Sequence, residues 1–150
     1  MCMYASAEML RAFLADHPAG QPVTVWKTMM WDSDSGLLVG TFREMRYVPG
    51  QNVPQPSIFG EGPWQCPAPD GVRIGTGALH AFLRRELAAQ VACDEGGVVV
   101  ALTVLPEDVV AVGPWDWPDA THRPSLAARA LTISPEEYER AIAEAKKHSA

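Results

Sequence analysis

Eight residues, VVVALTVL at 98–105, constrain this chain's fold more than any other stretch. The run is apolar and β-branched without a break, and strands covered on both faces read this way. That places it centrally in a sheet, with Pro106 as its end. Around it, ELAAQVA predicts a helix near Arg84 to Ala92, with Leu83, Leu87 and Val91 on the buried side. DEGG turns the chain between helix and strand. DVVAV reads as a further short strand, and LAARALTI as the last one.

The N-terminal half follows the same rules. Ser6 can cap a helix running to about Asp16, with Met9, Leu10, Phe13 and Leu14 on one side. His17-Pro18-Ala19-Gly20 stops it. PVTVWKTMMW predicts a strand, DSDSG a turn, and LLVGTFREMRYV an antiparallel return strand. At the C-terminus, Ser134-Pro135-Glu136-Glu137 predicts a helix start, because serine caps and acids favour the positive dipole end. That helix buries Tyr138, Ala141, Ile142 and Ala145. The expected architecture is α+β: one domain over 1–150, a single mostly antiparallel sheet with helices packed on it, and a long Pro/Gly-rich loop.

That loop spans 48–71, where ten of 24 residues are Pro or Gly. It carries Phe59 and Trp64, large groups that must pack on something. GPWDWPDATHRP predicts a second irregular loop with Trp115 and Trp117. Aromatic side chains on loops are typical anchors of interfaces. Trp64, Trp115 and Trp117 are therefore candidate binding residues.

The net charge of −6 argues against broad nucleic-acid binding, which needs clustered Lys and Arg. No stretch approaches the roughly 18 continuous apolar residues that span a membrane, and no secretory signal opens the chain. Three cysteines without CxxC spacing, Cys2, Cys66 and Cys93, predict free thiols and a cytoplasmic setting. Cys93, at the end of an apolar helix, reads as a small buried hydrophobe.

Motifs that carry chemistry are sparse. There is no GxGxxG, Walker loop, HExxH or GxSxG. Asp32, Asp34 and Gly36 resemble half a calcium loop, but position 42 is Phe where the loop needs Glu, so no metal site is expected. His80, in GALHAF, shares a strand face with Ala78 and Phe82. A histidine so placed is more often a hydrogen-bonded structural group than a catalyst.

GALHAF, the alanine-containing helix, PEDVVAVG and LAARALTI, preceded by Tyr47-Val48-Pro49-Gly50, resemble a loose group of small phage and prophage proteins of unknown function. Those share Y-x-x-G, G-[LI]-H-[AF] and V-x-P-E-D-V-V elements. The resemblance adds Tyr47 to the binding candidates. It implies a phage or prophage origin and no particular activity. The sparse chemistry and the tryptophans in Pro-rich loops predict a small accessory protein that binds a host or phage protein, or a second copy of itself, with no cofactor. A weaker similarity is to ADP-ribosyltransferase-like folds, whose enzymes hold NAD. It implies His80 and Glu107 as catalytic candidates, while the first strand offers only Lys27 and the acids Glu107 and Asp108 fall just past a strand.

Overall fold

Ser6 stays in the extended region at φ −121° and its hydroxyl accepts the Met9 N–H, which starts helix α1, Ala7–Asp16. Ser134 does the same for α3, Pro135–His148, by accepting the Glu137 N–H at 3.2 Å. A computed structural model describes residues 3–41, 45–55, 63–115 and 123–148. Its strands are β1 Met3–Tyr4, β2 Val23–Asp32, β3 Leu37–Gly40, β4 Arg46–Tyr47, β5 Gly50–Asn52 and β6 Arg73–Ile74. They continue with β7 Leu79–Phe82, β8 Val98–Val104, β9 Val109–Trp115, β10 Arg123–Ala128 and β11 Leu131–Ile133. Helix α2 covers Arg85–Glu95, and a 3-10 turn covers Pro106–Asp108.

The fold is α+β, as its sequence predicts. Every strand pairing among the described residues is antiparallel, in the order β5-β11-β8-β2-β7-β10-β9-β1-β6. Three strands separate β10 from β11 in that order, yet only Arg129 and Ala130 join Ala128 to Leu131. Three peptide steps reach at most about 10 Å. The sheet must therefore curl until β10 comes close to β8. Inside the curl lies one cluster: Val25, Met29, Leu79, Val100, Leu102, Leu126, Leu131 and Ile133. Leu10 and Phe13 of α1 join it, as do Tyr138, Ala141 and Ala145 of α3.

Several expectations need correction. LAARALTI is two strands in two places, because the chain turns at Arg129–Ala130 and Arg129 is held there. Its N–H donates to the Asp108 carbonyl and its Nε to the Asp108 carboxylate, both at 3.0 Å. LLVGTFREMRYV is a hairpin, not one strand. The Gly40 N–H returns to the Met45 carbonyl, and Leu38 faces Tyr47; residues 42–44 lie outside the described residues. VVVALTVL is buried on one face only. Val98, Val100, Leu102 and Val104 are interior, while Val99, Ala101 and Thr103 are half-buried under the partial cover of α2. The expected loop 48–71 contains β5, and its residues 56–62 lie outside the described residues. Cys93 is exposed, because α2 buries Ala88 and Val91 and turns Cys93 outward.

Candidate functional site

Period-two alternation in β2 puts Val25, Lys27 and Met29 on the same buried face. A lysine there must find polar partners for its ammonium. Lys27 Nζ donates to the His80 carbonyl at 2.9 Å and lies 5.9 Å from the centre of the Tyr47 ring. Thr28, the next residue, donates its hydroxyl to the Ala88 carbonyl at 2.6 Å, and Thr41 donates to the Thr28 carbonyl at 2.9 Å. Lys27, Thr28 and Thr41, with His80, Ala81, Phe82, Val91 and Trp115, line a cavity of about 20 Å³.

His80 is 4% exposed. Its Nε2 lies 2.6 Å from the Gly75 carbonyl oxygen. A carbonyl has no proton to give, so Nε2 carries the hydrogen. Trp115 stands edge-on to the imidazole at 6.0 Å and packs against Phe82 at 5.2 Å. Trp64 Nε1 donates to the Thr76 carbonyl at 2.9 Å. Two of the sequence candidates, His80 and Trp64, thus bond successive carbonyls of the same turn, Gly75–Gly77. They hold the entry to β7 from two sides.

The other candidates separate. Tyr47 is 0% exposed and Trp115 4%, so neither ring offers a surface for docking in this conformation. Trp115 ends a regular strand, and its expected loop shrinks accordingly; Trp117 lies outside the described residues. Trp64 is half-buried, packed against the smaller apolar cluster that contains Met3, Ile74 and Val110.

Glu107 does not meet His80. His80 pairs with Ala127, which pairs with Ala111, two strand spacings or roughly 10 Å away. Glu107 lies beyond the start of β9 in the 3-10 turn, where its carboxylate accepts the Gly20 N–H at 3.1 Å. Asp108 holds Arg129, and the Glu107 and Val109 carbonyls accept from Cys66 Sγ at 3.4 and 3.0 Å. The P-E-D element is therefore a structural knot joining four segments. Burial pushes the Cys66 thiol above its ordinary range, Arg129 opposes this, and Asp108 reinforces it.

A much wider hollow than the His80 cavity lies elsewhere. Tyr4, Ser6, Met9, Asp70, Arg84, Pro114 and Pro124 border an open groove of about 650 Å³. Pro114 and Pro124 face each other across β9 and β10. Tyr4 is 43% exposed. Sequence reasoning missed this groove because β1 is two residues long and has no periodicity to read. Among the described residues, no group of three or more His, Cys, Asp or Glu could hold a metal ion, and no helix is long and apolar enough to cross a membrane. No family model, curated protein or solved structure matches this chain.

Proposed function

We propose that the chain is a binding protein that docks another protein through the Tyr4–Met9–Pro114–Pro124 groove. The observation that carries this reading is size combined with chemistry. A hollow of about 650 Å³ falls in the range of ligand sites, roughly 300–1,000 Å³, and its lining mixes apolar Ala5, Met9, Pro114 and Pro124 with a few polar groups. An exposed tyrosine on its rim supplies a rigid contact with one polar tip. Arg84 and Asp70, of opposite charge, can orient what enters. The resemblance to small phage and prophage proteins makes a phage or host protein the expected partner, met in the cytoplasm. The cavity at His80 gives an NAD-using reaction no comparable support, since about 20 Å³ holds one water and no nucleotide.

Capture from the native host, with tagged wild type beside Tyr4→Ser and Val53→Ser, tests the reading. Val53 is 56% exposed and is not among the residues lining the groove, so it serves as the control. A partner retained by wild type and Val53→Ser but lost by Tyr4→Ser, with all three melting alike, is the expected result. Equal capture by all three overturns the assignment.

A further inference from the structure

Strand β8 has a neighbour along its whole length on one side only. It pairs with β2 from Val98 to Val104, but with β11 at the single position Thr103–Thr132. N–H and C=O of one strand residue point to the same side, so Val99 and Ala101 turn theirs outward together with Thr103. No described strand meets them there.

Helix α3 supplies a substitute. Glu137 Oε2 accepts the Ala101 N–H at 2.8 Å, and Arg140 Nη2 donates to the Val99 carbonyl at 2.8 Å. Acceptor opposite N–H and donor opposite C=O is the pattern a neighbouring strand would present. The two side chains are locked together by bonds of 2.6 and 3.0 Å, and Glu144 steadies the guanidinium from the next turn. Leu38 N–H, Tyr47 carbonyl and the buried Tyr138 hydroxyl fix the helix in place.

We propose that the Glu137–Arg140 pair guards the β8 edge, and that the partner it excludes is a second copy of this chain pairing antiparallel through residues 98–102. Two features favour a second copy over a foreign strand. The outward residues each offer one donor and one acceptor, so an identical edge running the opposite way satisfies both. The segment is also β-branched, uncharged and free of proline, the signature of strands that associate with themselves.

The test is a charge swap, Glu137→Arg with Arg140→Glu. It keeps net charge and the i, i+3 ion pair but sets a donor against N–H and an acceptor against C=O. Light scattering over a concentration series is read beside hydrogen exchange at Ala101. The expected result is a mass that doubles at concentrations where wild type does not change. Ala101 exchange should be at least tenfold faster than wild type when dilute and slow again on association. A folded swap variant that keeps the wild-type mass at every concentration overturns the proposal. Association without renewed protection of Ala101 also overturns it. Should the swap fail to fold, Glu137→Ala with Arg140→Ala is read the same way.

Discussion

His80 shows how a side chain can look reactive in sequence and be structural in place. Removing the imidazole by His80→Ala costs the bond to the Gly75 carbonyl and opens space beside Trp115. The Gly75 carbonyl is partly buried, so the loss sits toward the lower end of the roughly 1–3 kcal/mol that an unsatisfied buried group costs. For a domain this size each kcal/mol moves the melting temperature by roughly 2–4 °C. A drop of several degrees, with altered Trp115 emission, is expected in calorimetry and fluorescence. An unchanged melting temperature would show that His80 carries no structural load. Cys66 invites a second measurement. In a Cys2→Ser, Cys93→Ser background its alkylation rate should climb with pH later than that of an unstructured thiol, because burial holds the thiol form. A profile at or below the unstructured thiol's contradicts that.

At the scale of elements, close approach decides more than propensity. A Cβ on Gly113 would lie 1.7 Å from the Tyr4 carbonyl oxygen, so β1 can cross β9 only where the side chain is absent. Gly113→Ala should displace β1 and destabilise by at least the roughly 1–3 kcal/mol typical of overpacking. Loss of amide protection at Ala5 and Ser6, which bond Val72 and Val112, would locate the damage. The same element explains what could be read from sequence. Helices α1 and α3 announce themselves by a serine cap and apolar spacing, and β2 by its β-branched pattern. Strands β1, β5 and β6 are two or three residues long, too short for any period. The break between β10 and β11 carries no Gly or Pro, because an ion pair from Asp108 makes it. Trp115 was not legible as a strand residue, since the flanking prolines suggest a loop. Helix α3 supports a pH prediction too. Burial alone would raise the Glu137 carboxyl, but the Arg140 bond, the Ala101 N–H and the charges of Arg140 and Arg85 hold it below its ordinary value near 4.5. A carboxyl depressed in the folded state stabilises above that value and loses its contribution as pH falls through the lower one. Wild type should therefore lose more stability than Glu137→Gln between about pH 5 and acid. Parallel acid-unfolding curves would remove the argument.

Across the whole molecule, the curled sheet closes on a main core that draws side chains from every strand except β1, β5 and β6, and from α1 and α3. Tyr138 connects the last helix to that core in two ways. Its ring is 4% exposed among core residues, and its hydroxyl donates to the Tyr47 carbonyl at 2.6 Å while accepting the Leu38 N–H at 3.1 Å. The hydroxyl thus completes the pairing of β3 with β4, a hairpin that is 100 residues away from it in sequence at Leu38. Tyr138→Phe keeps the ring and removes only the oxygen, leaving one donor and one acceptor buried without it. The cost is expected at about 1–3 kcal/mol. What distinguishes a shared core from a loosely attached hairpin is where that cost appears. If the core is one cooperative unit, exchange at Leu38 and at the distant β8 amides should accelerate by the same factor, and a single denaturant midpoint should move with its slope unchanged. If only the Leu38 amide accelerates while β8 and the midpoint stay put, the hairpin opens by itself and the single-core description fails.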